Sequence, residues 1–208
     1  MRAHMVDAGN AALYAPELEA MHRHRRRIFV ELLGWRALDR PDGREIDAYD
    51  DARATYLIVI DAAGGYRASA RFLPTVSPHM MSDLFADFVD GPVPRKPDLF
   101  EWSRHCPGDP EWPSAVNEAA RLTLHLGVLE FALGRGIAAY TALMERGLAR
   151  RARSYGWDCA PLGAPRRYGE GEAIAVISPV RAAHLETLRK RAGVSTPVLV
   201  SRGAQAAA

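Results

Sequence analysis

Residues 54–74 read Ala-Thr-Tyr-Leu-Ile-Val-Ile-Asp-Ala-Ala-Gly-Gly-Tyr-Arg-Ala-Ser-Ala-Arg-Phe-Leu-Pro. Ala54–Asp61 is a continuous β-branched run, the pattern of a buried strand. Asp61 to Gly65 has the composition of a hairpin turn, and Pro74 ends the returning strand Tyr66–Leu73. Alternation along the return puts Tyr66, Ala68, Ala70 and Phe72 on one face and Arg67, Ser69, Arg71 and Leu73 on the other. Arg71 is therefore a guanidinium deep in a strand.

On the N-terminal side, Pro16–Leu33 has the three- and four-residue spacing of an amphipathic helix, with Leu18, Met21, Ile28, Phe29 and Leu32 on its stripe and Gly34 at its C-cap. Arg25 falls at the centre of that stripe, where an unpaired guanidinium is too costly to bury, so it requires a carboxylate or an anionic ligand. Arg23 and Arg27 point away and read as a solvated face. On the C-terminal side follow a short helix (Pro78–Val89, with Met81, Leu84, Phe85 and Phe88 inward) and a strand (Leu99–His105). Then come a long helix (Ser114–Leu133), a strand (Ile137–Met144), a basic helix (Glu145–Tyr155), strands at Trp157–Leu162 and Glu172–Val180, and a last helix to Ala192. This order defines an α/β protein with a mixed sheet flanked by helices. No repeat or linker interrupts it, so residues 1–208 read as one domain, with the tail 202–208 expected to be disordered.

The 208 residues are 48% hydrophobic and 25% charged, as in a soluble globular protein. No signal-like or membrane-spanning apolar run is present. Cys106 and Cys159 show no paired or metal-ligand spacing, which fits a reducing cytoplasm. A net charge of +2 is too small to argue for nucleic acid. Nearly every basic residue is Arg, Lys96 and Lys190 being the exceptions, so arginine clusters need positional support before they carry meaning.

Residues 34–51 are the least generic part of the chain. Trp35 follows Gly34 directly, and Asp42, Glu45, Asp47, Asp50 and Asp51 fall close together around a Pro41-Asp42-Gly43 turn. Large aromatics bracketing clustered carboxylates suit a pocket for a cation. Further on, Glu101 and Arg104 share one strand, yet strict alternation sends them to opposite faces. If they belong to one site, the strand bulges or ends between them.

Arg-x-x-x-Phe (Arg25, Phe29), Gly-Trp (Trp35), Glu-x-Asp-x-Tyr-Asp (Glu45 to Asp50), Arg-Phe-Leu-Pro-Thr (Arg71) and Glu-x-Ser-Arg (Glu101, Arg104) occur in that order within residues 1–106. This set resembles the acyl-homoserine-lactone synthase family, the quorum-sensing autoinducer synthases related in fold to GNAT N-acyltransferases. The resemblance implies a GNAT-like mixed sheet with a V-shaped cleft between its central strands. It also implies a bacterial, cytoplasmic acyltransferase. An acyl group would pass from acyl-CoA or an acyl carrier protein to the amine of S-adenosylmethionine, and lactonisation would then release methylthioadenosine. The partners implied are small-molecule substrates, with acyl-CoA or acyl carrier protein as the acyl donor; no tightly bound cofactor, metal, membrane or nucleic acid is implied.

Within that reading Arg25, Phe29, Trp35, Asp47, Asp50 and Arg104 bind S-adenosylmethionine, Arg104 pairing its carboxylate. Glu101 takes the ammonium proton, directly or through water, with Arg71 and Asp47 also at the catalytic centre. Oxyanion donors are backbone N–H groups near a bulge. Taken singly, Arg71 and Glu101 also suit a structural ion pair between strands. Leu122, Leu126, Tyr140, Met144 and Trp157 suit a short, blunt acyl pocket or ordinary core. Residues 156–163 resemble the branch that takes branched or aromatic acyl-CoA thioesters. Arg146, Arg150, Arg151, Arg153, Arg166 and Arg167 suit an acidic carrier protein, the phosphates of coenzyme A, or a solvated helix. The alternative activity is GNAT-type acylation of another small amine, although no Gly-rich pyrophosphate loop is evident.

Overall fold

The computed structural model describes residues 1–169 and 171–203. The stretch 54–74 forms the expected hairpin: β2 (Thr55–Ile60) and β3 (Tyr66–Pro74). Its turn is closed by Asp61, whose backbone N–H donates to Gly65 O at 2.9 Å while its side chain accepts from the N–H groups of Ala63 and Gly65. The hairpin has a strand on its N-terminal side that the hydropathy pattern does not reveal, β1 (Arg2–Val6), paired antiparallel to β2 from Arg2–Ile60 to Val6–Tyr56. Arg2 and His4 make β1 look polar. Its buried positions are Ala3 and Val6, on opposite faces of the strand.

The remaining elements are α1 (Ala15–Arg26), α2 (Met80–Asp83), β4 (Leu99–Cys106), α3 (Ser114–Arg135), β5 (Ala139–Glu145), α4 (Arg146–Ser154), β6 (Ala160–Pro161), β7 (Arg166–Tyr168), β8 (Gly171–Pro179), α5 (Ala182–Ala192) and β9 (Leu199–Val200). The strands are hydrogen-bonded in the order β6-β8-β5-β4-β3-β2-β1-β9, with β7 on β8. The β4–β5 and β1–β9 pairs are parallel and β1–β2 and β5–β8 antiparallel, so the sheet is mixed.

Two compact units divide the chain. The first holds residues 1–71, 104–128 and 196–208; the second holds residues 72–103 and 129–195. In the first, Leu57, Ile58 and Val59 of β2 are fully buried, as are Ala3 of β1 and Leu124, Leu126 and Val128 of α3. Helix and sheet come very close there: a Cβ added at Gly127 would lie 2.5 Å from the Ala3 Cβ. In the second, Phe72, Trp102, Phe131, Tyr140 and Trp157 form a continuous aromatic core, with ring centroids 5.1 to 6.2 Å apart along the chain of contacts. A second cluster gathers Met81, Phe88, Val89, Ala173 and Ala175.

Several elements are shorter than the sequence suggests. Pro78–Val89 is helical only over Met80–Asp83, followed by a 3-10 turn at Ala86–Phe88, and Leu84 is 61% exposed rather than inward. The strand expected over Trp157–Leu162 is confined to Ala160–Pro161, since Pro161 has no N–H to extend a ladder. β7 and β9 are three and two residues long and leave no periodic signal. Of the tail expected to be disordered, residues 204–208 lie outside the described residues. Arg202 is held by Glu17 at 2.6 Å and lies over the Tyr14 ring.

Candidate active site

The site elements begin where α1 changes character. Pro16 sits in the first turn and Glu17 favours the helix N-terminus, so α1 starts well. From Arg27 to Leu32 the backbone turns π-helical, with the N–H of Leu33 reaching back to Ile28 O. Such wide turns are rare and recur at functional sites. Gly34, at φ 72°, ends the helix in a conformation that side-chain-bearing residues avoid, and the N–H of Trp35 donates to Phe29 O at 2.8 Å. The outcome is a stack: the Phe29 and Trp35 rings lie 5.0 Å apart at 17°.

Beyond Trp35 the chain is irregular to Ala54 apart from a 3-10 turn at Arg36–Leu38. Its carboxylates meet three arginines from three different elements. Arg25 of α1 donates to both oxygens of Asp50 at 2.8 Å and from Nε to Glu45 at 2.5 Å. Arg104 of β4 holds Glu45 at 2.9 Å and Asp47 at 2.5 Å. Arg71 of β3 holds Asp47 through two bonds of 2.5 and 3.0 Å and approaches Asp50 at 2.9 Å. The pairs close on themselves: Arg25, Glu45, Arg104, Asp47, Arg71, Asp50 and back to Arg25. Positive and negative charges alternate around the ring and sum to zero.

Burial makes that balance obligatory. Arg25, Arg71 and Glu45 have no solvent exposure, and an unpaired charge in such a place costs several kcal/mol. Burial works against the Arg25 charge, but Asp50 and Glu45 more than offset it and hold the guanidinium above its ordinary pKa. Burial likewise opposes ionisation of Asp50, and Arg25 and Arg71 outweigh it, keeping that carboxyl well below the usual range. The Tyr56 hydroxyl donates to Asp50 at 2.8 Å, and burial together with that carboxylate raises its pKa. The Arg104 guanidinium lies 5.4 Å from the centre of the Phe29 ring, which joins the ring of charges to the aromatic stack.

Glu45 and Tyr56 are not among the expected site residues, although Glu45 opens the Glu-x-Asp-x-Tyr-Asp motif. Three inward arginines need three carboxylates, and Asp47 and Asp50 supply two; that count was the available signal for Glu45. Arg27 also differs from the expected solvated face, because it reaches buried Asp109 at 2.6 Å. Asp42 and Asp51 stay outside the ring, bound to Arg40, Arg44 and Arg53.

Along β4 the buried positions are Leu99, Glu101, Arg104 and Cys106, so the alternation slips by one residue between Glu101 and Arg104. Arg104 has φ 51°, the one non-glycine positive value among the described residues. Such a break in alternation is one of the two outcomes, a bulge or a strand end, that the Glu101–Arg104 spacing called for. Pairing of β4 with β5 covers Leu99–Ala139, Phe100–Tyr140 and Glu101–Thr141. Past that point β5 continues on β8 alone, and the two central strands part. The Glu101 carboxylate accepts the N–H groups of Met80 at 3.1 Å and Met81 at 2.6 Å, which fixes it at the start of α2.

Of the residues expected in an acyl pocket, Tyr140 and Trp157 are buried together in the second unit, each in ring contact with the other and with Trp102. Met144, half-buried on β5, lies opposite Ile174 of β8. Leu122, half-buried, and Leu126, buried, lie on the portion of α3 in the first unit. Arg146, Arg150, Arg151, Arg153, Arg166 and Arg167 are all exposed in the second unit, with Ala149 the buried anchor of α4. Among the described residues no His, Cys, Asp and Glu group is arranged to hold a metal, and no helix is long and apolar enough to cross a membrane.

The N-acyl amino acid synthase FeeM, 15% identical, shares the fold with a TM-score of 0.51 over 90% of this chain and 94% of that one. An autoinducer synthase family profile matches residues 10–195. The isovaleryl-homoserine lactone synthase of Bradyrhizobium diazoefficiens is 36% identical over 200 residues, covering 94% of this chain and 87% of that protein. The CoA-dependent acyl-homoserine lactone synthase BjaI, in a structure with SAM and isopentyl-CoA, superposes with a TM-score of 0.86 at 33% identity, over 96% of this chain and 92% of that one. The chain belongs to the autoinducer synthase family of acyltransferases.

Proposed function

We propose that this protein is an acyl-homoserine-lactone synthase that acylates S-adenosylmethionine from a short acyl-CoA thioester. The observation that carries the reading is the neutral ring of Arg25, Glu45, Arg104, Asp47, Arg71 and Asp50 set against the Phe29–Trp35 stack. S-adenosylmethionine presents a sulfonium, an ammonium and a carboxylate. An aromatic face suits the first, the partly exposed Asp47 suits the second, and Arg104 suits the third by a forked guanidinium pair. Because the ring is already neutral, a zwitterionic amino-acid group adds contacts without adding net charge.

In the chemistry that follows, Glu101 takes a proton from the ammonium, directly or through water. The freed amine attacks the thioester carbonyl, the carbon–sulfur bond breaks, and the coenzyme leaves as its thiol, its sulfur taking the second amine proton. The methionyl carboxylate then displaces the sulfonium, closing the lactone and releasing methylthioadenosine as a neutral thioether. The two backbone donors on Glu101 keep its carboxylate aimed through both steps.

The acyl donor is proposed as acyl-CoA rather than acyl carrier protein. Support comes from relatives described as CoA-dependent, and the bulk of Tyr140, Trp157 and Trp102 suits a short, blunt chain better than a long one. The exposed arginines of α4 and β7 suit coenzyme phosphates. The test is to incubate the protein with S-adenosylmethionine and a panel of acyl-CoA and acyl-carrier-protein thioesters. Mass spectrometry should find acyl-homoserine lactone and methylthioadenosine with short branched acyl-CoA donors. No methylthioadenosine with any donor would sink the reading.

A further inference from the structure

A second polar chain runs beside the ring of charges, joining α1 and β3 to the loop that follows β4. His24, next to Arg25 on α1, is buried. Its Nε2 lies 3.3 Å from Asp109 Oδ2, and its Nδ1 lies 3.2 Å from the Tyr66 hydroxyl. That hydroxyl is 2.9 Å from Ser69 Oγ on β3, two residues before Arg71 and on the same face of the strand. Asp109 follows Arg104 by five residues and is itself pinned. It binds Arg27, at the start of the π-helical turn, at 2.6 Å, accepts the N–H of Glu111, and its backbone is tied to Asn117. The His24 ring stacks on Trp112 at 5.5 Å and 11°, leaving it little freedom to turn.

The carboxylates of the ring all come from one irregular segment, residues 45–50, which has no sheet or helix to hold its shape. Its geometry is dictated by where α1, β3 and β4 hold Arg25, Arg71 and Arg104. We infer that Asp109, His24, Tyr66 and Ser69 form a positioning relay that fixes the spacing of these three elements and thereby shapes segment 45–50 for its ligand. Among the described residues no hydrogen bond joins the relay to a ring member, so it acts on the site chiefly through position. That the ligand is S-adenosylmethionine rests on the function proposed above.

Tyr66→Phe removes one oxygen and little else, so it tests the relay with the fold retained; His24→Phe keeps the stack on Trp112. Each should weaken S-adenosylmethionine binding about five- to ten-fold by calorimetry with kcat changed less than two-fold. The double variant should be no worse than the poorer single one, because both cut the same chain. A readout independent of ligand is amide exchange at Asp47 and Tyr49, whose N–H groups are bonded to Asp50 and Asp47. Exchange there should quicken at least five-fold in Tyr66→Phe while amides in β2 stay unchanged. Failure of the wild-type protein to bind S-adenosylmethionine would remove the proposed function and leave the exchange result to decide the relay. Unchanged exchange at Asp47 and Tyr49, equal acceleration in β2, or fully additive losses would overturn it.

Discussion

Glu45 bridges Arg25 and Arg104: one buried carboxylate takes a 2.5 Å bond from the first and a 2.9 Å bond from the second, tying helix α1 to strand β4. Replacing it by glutamine keeps the volume and removes the charge, leaving two buried guanidinium groups short of a partner. Breaking one member of a buried ion network costs about 3–5 kcal/mol. Glu45→Gln should therefore lower the urea-unfolding free energy by about that amount with an unchanged m-value. A loss below about 1 kcal/mol would mean that the ring's neutrality is not what holds it together.

The Glu101 carboxylate accepts two backbone N–H groups, so its amide analogue can keep one acceptor oxygen for Met80 or Met81. Glu101→Gln removes the proton acceptor, and turnover should fall roughly 10²- to 10⁴-fold. S-adenosylmethionine affinity should stay within about three-fold, less than 1 kcal/mol. Collapse of binding instead would make Glu101 part of the scaffold.

The hairpin at 54–74 was legible because both strands and the turn carry strong local signals. Arg25 was legible as a paired group because a charge on an apolar stripe admits few solutions. The slip in β4 followed from asking how Glu101 and Arg104 might both turn inward. What escaped was set by tertiary context. β1 is a strand because β2 offers it an edge, not because Arg-Ala-His-Met-Val prefers one. The closure of the ring through Glu45, and the capture of Arg27 by Asp109, depend on where a loop of weak local preference comes to rest.

Gly127 shows a constraint of that kind. A glycine inside a long helix reads as a local weakness, yet here it lets α3 approach β1. Its missing side chain would stand 2.5 Å from the Ala3 Cβ, and neither alanine nor backbone can flex aside as a long side chain would. Gly127→Ala gains helix propensity of about 1 kcal/mol but meets an overpacking cost of about 1–3 kcal/mol. Thermal unfolding should show net destabilisation, and Gly127→Val should be worse. A higher Tm for the alanine variant would show that α3 can shift to accommodate it.

His105 supplies the clearest pH dependence. Its Nε2 is shut away from solvent, and burial with the nearby Arg121 charge lowers its pKa to about 4. An unfolded histidine titrates near 6.5. Above that pH both states are neutral and the contribution to stability is complete. As pH falls from about 6.5 towards 4, the unfolded chain takes a proton that the folded one refuses, so stability is lost over that window, by about 3 kcal/mol from this group. His4, His22, His24 and His184 are also lowered, each chiefly by burial, and act in the same direction. Asp50 acts lower down: its contribution is present above the ordinary aspartate pKa and is lost as pH falls through its depressed value. Urea titrations at half-unit intervals should therefore show unfolding free energy declining from pH 6.5 to 4, and His105→Phe should flatten that slope while leaving the decline below pH 4 in place. An identical slope in the variant would assign the acid sensitivity to the other histidines.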